Sequence, residues 1–153
     1  MGLFIGLQLA ENDLKNIEAF QQEIKLPNPV KLDEIHCTLF STIDNFEYVS
    51  NLNLPIEINE LTLGKIKTQS GVDCLVLYFN SQELLEYHDF IKDKYQVRPF
   101  YSKFIAHITL SYDCGELDLN KVDLSKYIEK VTLIKEYSQE LKFEVNNRKT
   151  VRE

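Results

Sequence analysis

Apolar and polar residues alternate at the start of the chain: Leu3, Ile5, Leu7 and Leu9 share one face, and Phe4, Gly6 and Gln8 the other. That period of two predicts a strand over Leu3–Leu9. The period then changes, with Leu14, Ile17, Phe20 and Ile24 recurring at helical spacing. Asn12 or Asp13 is the expected cap of this helix, and Pro27 and Pro29 stop it. Further strands are expected over Ile35–Phe40, Ile56–Lys67, Cys74–Phe79, Phe104–Ser111, Lys130–Glu136 and Glu140–Val145. A second helix is expected over Gln82–Tyr95 and a short one near Leu124–Ile128. No Ser-, Gly- or Pro-rich linker interrupts the pattern, so residues 1–153 read as a single domain.

The pattern repeats. A shift of 71 residues (107 − 36) lays the first third over the middle without a gap, placing Leu3, Ile5 and Leu7 on Cys74, Val76 and Tyr78. Leu14 and Phe20 fall on Leu85 and Ile91, and His36, Thr38 and Leu39 on His107, Thr109 and Leu110. At a shift of 70, Leu61-Thr62-Leu63 meets Val131-Thr132-Leu133. Each unit reads strand, helix, His-bearing strand, further strand. Apolar matches alone arise whenever two amphipathic segments are compared; the matched His and Thr do not.

Two of the three histidines begin a His-x-Thr-Leu tetrapeptide: His36-Cys37-Thr38-Leu39 and His107-Ile108-Thr109-Leu110. Only 7 of 153 residues are Thr, so chance gives this arrangement roughly 1% of the time or less. On a strand, positions i and i+2 project from one face, so each imidazole stands beside its own threonine hydroxyl. Ile35, Cys37 and Leu39, like Ala106, Ile108 and Leu110, then face the core, and the polar pairs face a cleft. His88 matches Ile17 under the repeat and reads as a helix-packing residue.

Two imidazoles with ordinary pKa values near 6.5 can be neutral and protonated at the same pH. In-line phosphoryl transfer uses that combination, one His taking a proton from the attacking water or ribose 2′-hydroxyl and the other protonating the leaving oxygen. The threonine hydroxyls hold the non-bridging oxygens. There is no H-E-x-x-H or C-x-x-C and no carboxylate at ligand spacing beside either histidine, so neither a metal nor another cofactor is expected. No G-x-S-x-G elbow points to acyl transfer.

Charge narrows the substrate. Lys and Arg total 17 against 24 Asp and Glu, a net charge of −7, which disfavours a partner such as duplex nucleic acid. No run reaches the roughly 18 apolar residues of a membrane span. The apolar start lacks a basic leader and a cleavage site, and three widely spaced cysteines suit a reducing compartment. A cytoplasmic monomer whose partner is a small nucleotide or a peptide is expected.

The two motifs resemble the 2H phosphoesterase superfamily, named for its paired H-x-[ST]-φ signatures, and the resemblance covers nearly the whole chain. It implies a bilobal α+β fold with two pseudo-symmetric antiparallel sheets, outer helices and a central groove. It also implies His36, Thr38, His107 and Thr109 as the catalytic set of a metal-independent phosphodiesterase. Within the superfamily, the run Ile24-Lys25-Leu26-Pro27-Asn28-Pro29-Val30 and the continuation Leu110-Ser111-Tyr112-Asp113 look similar to the phage anti-CBASS phosphodiesterases. Those cleave cyclic di- and trinucleotide signals of bacterial immunity, and a phage-encoded member would act in the host cytoplasm.

Substrate contacts are expected from Phe4 as a base-stacking ring beside Gly6, and from Glu136 accepting from an adenine amino group. Tyr112 and Lys103 or Arg98, flanking the second motif, are expected to line the groove. The chain has no Trp, so Tyr or Phe must supply the aromatic platforms such a subgroup uses. No basic residue follows the first motif at Ser41-Thr42-Ile43-Asp44. Two rival readings stay open: a phosphodiesterase of RNA ends or 2′,3′-cyclic nucleotides, and a non-catalytic nucleotide sponge.

Overall fold

The computed structural model describes residues 2–141, which form seven strands and two α-helices. Their order is β1 (Gly2–Leu9), α1 (Glu11–Glu23), β2 (Cys37–Thr42), β3 (Ile56–Ile58), β4 (Thr62–Lys67), β5 (Asp73–Tyr78), α2 (Gln82–Tyr95), β6 (His107–Ser111) and β7 (Val131–Leu141). All strand pairs are antiparallel, and the sheet runs β3-β7-β1-β2-β6-β5-β4. The fold is α+β.

The sheet reads alike outward from its centre: β2, β1, β7 on one side and β6, β5, β4 on the other. The strands that follow each histidine strand are exchanged, β4 pairing with β5 and β7 with β1. The two expected sheets are thereby joined into one, but only through the pair Cys37–Ile108. β3 and β4 occupy opposite edges although three residues separate them in sequence. Four residue steps span at most about 14 Å, so the sheet curls until its edges approach each other.

One face carries the core. Leu7, Cys37, Leu77 and Ile108 are fully buried and cluster with Ile17 and Phe20 of α1 and Leu84 and Ile91 of α2. Fully burying each such aliphatic side chain is worth about 1.5–3 kcal/mol against leaving it exposed. Among the described residues, no helix is long and apolar enough to cross a membrane.

Several boundaries differ from the sequence reading. Ala10, not Asn12 or Asp13, caps α1; the buried Asp13 carboxylate instead accepts the Thr132 N–H at 2.7 Å, a tertiary bond invisible to local propensity. The strand expected over Ile56–Lys67 is two, because Asn59–Leu61 carries the chain between sheet edges. The strands expected over Lys130–Glu136 and Glu140–Val145 merge as β7, which pairs along the whole of β1; Lys142–Val145 lie outside the described residues. The short helix near Leu124–Ile128 is a 3₁₀ turn at Leu124–Lys126.

Candidate active site

The two motifs sit on the central strands, where register decides what meets. Cys37–Ile108 is the one β2–β6 pair among the described residues; that register, continued by one residue each way, brings His36 toward Thr109 and Thr38 toward His107. Because Cys37 and Ile108 face the core, the four polar residues share the opposite face. The two histidines are then diagonal neighbours, at a typical Cα spacing of about 7–8 Å.

A bulge follows each threonine. Gly6 pairs with Thr38 and Ile5 with Phe40, which leaves Leu39 as the extra residue. Val76 pairs with Thr109 and Leu75 with Ser111, which leaves Leu110. The leucines of the two tetrapeptides therefore do the same work, bending each strand just beyond its motif.

Both imidazoles are oriented by the carbonyl two residues earlier. His36 Nδ1 donates to the Glu34 carbonyl and His107 Nδ1 to the Ile105 carbonyl, each at 2.8 Å. A carbonyl can only accept, so Nδ1 carries the hydrogen and Nε2 is the nitrogen for proton exchange. His36 Nε2 lies 3.2 Å from Thr38 Oγ1. Thr38, His107 and Thr109 are buried, and His36 is half-buried. Burial lowers the His107 pKa below its ordinary value, offset in part by the Ile105 hydrogen bond.

Phe4 is buried on this face, its ring 5.5 Å from His36 in an edge contact and 5.9 Å from Tyr137. It packs against His36 rather than standing as an open platform. Tyr137, which the sequence reading missed, covers Gly6, where an added Cβ would lie 2.6 Å from its ring. Its phenol is pushed up first by burial, then by the charges of Tyr112 and Cys37. On the other flank Tyr78 pairs with His107 and its ring covers Gly64. Two glycine-seated tyrosines thus bracket the His/Thr strip. Lys103 is exposed in the loop before β6, and Arg98 begins that segment.

Glu136 is placed differently from expectation. It pairs with fully buried Leu7 and therefore lies on the helix-covered face. Its carboxylate accepts from the Tyr48 and Ser50 hydroxyls. The bulge in β7 at Gln8/Leu9 shifts the alternation that the sequence suggested. His88 packs in α2 between Phe104 (4.5 Å, stacked) and Phe40 (4.9 Å). Cys37, Cys74 and Cys114 are buried thiols.

The family model described as Anti-CBASS protein Acb1 matches residues 1–148. Anti-CBASS protein Acb1 of Salmonella phage S16 is 30% identical over 141 residues, covering 92% of this chain and 89% of the relative. The Enterobacteria phage T4 protein of that name is 30% identical over 144 residues, covering 94% and 90%. The fold is that of E. coli LigT: its phosphate complex superimposes with a TM-score of 0.63 at 13% identity, covering 94% of this chain and 88% of LigT. The complex of LigT with 3′-AMP gives 0.63 at 16% identity, covering 95% and 89%. This chain, with a 2H phosphoesterase fold, belongs to the anti-CBASS protein Acb1 family.

Proposed function

We propose that the protein is a 2H-type phosphodiesterase that hydrolyses 3′,5′ bonds of cyclic di- or trinucleotide immune signals without a metal ion. His36, Thr38, His107 and Thr109 are its catalytic residues. The observation that carries this reading is the Cys37–Ile108 register, which gives each histidine a threonine from the opposite strand as well as its own. Family membership supports the substrate class and a place of action in the host cytoplasm, since the matched relatives are anti-CBASS proteins of phages.

His107 is the base. Its burial favours the neutral imidazole, and with Nδ1 tied to Ile105, Nε2 removes the proton from the attacking hydroxyl. His36, less buried, is the acid: protonated, it keeps Nδ1–H on Glu34 and delivers the Nε2 proton to the leaving oxygen on the opposite side of phosphorus. The hydroxyls of Thr38 and Thr109 hold the non-bridging oxygens as charge builds, a role whose loss costs about 100- to 1,000-fold in comparable sites. Phe4, Tyr137 and Tyr112 line one side of the groove, Tyr78 the other, and Lys103 stands at the rim.

The test is a mass-spectrometric screen of cyclic di- and trinucleotides and 2′,3′-cyclic mononucleotides in EDTA, using wild type and the His36→Ala, His107→Ala and doubly substituted chains. Linearised cyclic oligonucleotides from wild type alone are expected. Turnover confined to 2′,3′-cyclic substrates would transfer the protein to the RNA-end class. Binding without turnover would make it a sponge, and undiminished turnover in the substituted chains would remove both histidines from the chemistry.

A further inference from the structure

Each motif strand ends in a fully buried hydroxyl that reaches toward the other motif. Thr42, last in β2, donates from Oγ1 to the Arg98 carbonyl at 2.6 Å and accepts the Asp44 N–H at 3.1 Å. Ser111, last in β6, donates from Oγ to the Pro27 carbonyl at 2.6 Å and accepts the Asp113 N–H at 3.1 Å. Arg98 stands nine residues before His107 (107 − 98), and Pro27 nine before His36 (36 − 27). Backbone bonds repeat the exchange: Phe100 N–H donates to Ser41 and Val30 N–H to Leu110, both at 2.9 Å. The two clasps are alike in their bonds, and the half-repeat superimposes their carbonyls, Pro27 and Arg98, although Thr42 lies six residues after His36 and Ser111 four after His107.

We infer that Thr42 and Ser111 are positioning residues, each fixing the imidazole carried by the opposite strand. The segment between Gln96 and His107 contains neither helix nor strand, so it takes its course from such attachments. Held at Arg98 by Thr42, it ends on the Ile105 carbonyl that orients His107. Held at Pro27 by Ser111, the other segment ends on the Glu34 carbonyl that orients His36. Arg98 and Pro27 lie at the surface, so a carbonyl that loses its hydroxyl donor turns to water and the segment moves with it. The two half-sites are thereby coupled crosswise: disturbance at the end of one motif strand reaches the histidine of the other.

The inference rests on reading His36 and His107 as the proton-transfer pair, but its first readout needs no catalysis. In ¹⁵N spectra of the full chain near pH 8, both imidazoles are expected as the Nδ1–H tautomer. Thr42→Val should shift His107 toward Nε2–H and leave His36 unchanged; Ser111→Ala should do the reverse. kcat should fall roughly 10- to 100-fold, as for small misplacements of reacting groups, and Thr42→Ser and Ser111→Thr should restore both readouts. Should Thr42→Val fail to fold, Asp44→Ala reads the same clasp, because the Asp44 carboxylate accepts the Arg98 N–H at 2.8 Å; His107 should again be the ring that moves. A shift on the substituted strand's own histidine, equal shifts on both, or none on either would overturn the inference. If the tautomers stay fixed while His36→Ala abolishes turnover, the clasps are wrong and the phosphodiesterase stands. Crosswise shifts with full turnover in His36→Ala would mean the opposite.

Discussion

Cys37 of β2 and Ile108 of β6 form the single residue pair joining the two halves of the sheet among the described residues, and both are fully buried. With so short a ladder, alignment of the four polar residues rests on side-chain packing behind them. Ile108→Ala should cost about 2–5 kcal/mol of stability, as large-to-small core changes do. It should also lower kcat well below the melting temperature, because the junction can slide. Leu84→Ala, equally buried but in α2, should lose comparable stability and keep kcat. Thermal melts with kinetics at low temperature check this, and equal retention of kcat by both variants would detach the junction from the site.

The assignment of His107 as base sets the pH behaviour. Its pKa is held below 6.5 by burial, so the rising limb of kcat/KM should lie below pH 6.5. Stability follows the same sign. His107 and His88 are both lowered by burial, so the unfolded chain binds more protons just below pH 6.5, and stability drops as pH falls through that value. His88→Phe should weaken that dependence; the groups facing His88 include Asp89 at 3.7 Å and Lys92. A rising limb above pH 6.5, or a melting temperature indifferent to pH between 7.5 and 5.5, would contradict the assignment.

What the sequence made legible was whatever repeats locally. Periods of two and 3.6 found β1, α1 and α2 within a few residues, and the His-x-Thr-Leu pair marked the strip because i, i+2 spacing fixes a shared face whatever the partner strand. Pairing was not legible. The pairing of β7 with β1 and the bulges at Leu39 and Leu110 depend on contacts dozens of residues apart. Glu136 shows the consequence: one bulge in β7 moves it to the other face. Tyr137 and Tyr78 stayed hidden because their partners, Gly6 and Gly64, lie on neighbouring strands.

Gly6 tests the aromatic wall. A Cβ there would meet the Tyr137 ring at 2.6 Å and the Phe4 ring at 2.8 Å, the ends of side chains that can rotate away. Gly6→Ala should therefore fold, with a melting temperature a few degrees lower, but raise KM by roughly tenfold as the wall beside His36 opens. Gly2→Ala is the contrast, since its Cβ would lie 2.0 Å from the Thr42 carbonyl oxygen and only backbone movement relieves that. It should lose far more stability. Unchanged KM in Gly6→Ala would mean that Tyr137 and Phe4 do not shape the substrate site.

Glu136 lies within a side-chain network that ties the segment after β2 to β7. Its carboxylate accepts from Tyr48 and Ser50; the Tyr48 hydroxyl also meets Tyr87, whose oxygen accepts the Asn51 N–H at 2.9 Å. Burial first, and then the Glu136 hydrogen bond, hold the Tyr48 phenol far above the ordinary tyrosine range, so it remains a donor. Glu136→Gln replaces the carboxylate by an amide with one accepting oxygen, leaving one of the two hydroxyls without its acceptor. Stability should fall by about 1–3 kcal/mol, with KM and base preference unchanged; Tyr48→Phe should move the same way. A carboxylate that touched a base would behave oppositely under the same change, losing discrimination between adenine and guanine substrates while melting like wild type. Urea titration beside competition between labelled cyclic dinucleotides separates these outcomes, and loss of base discrimination at unchanged stability would return Glu136 to the groove.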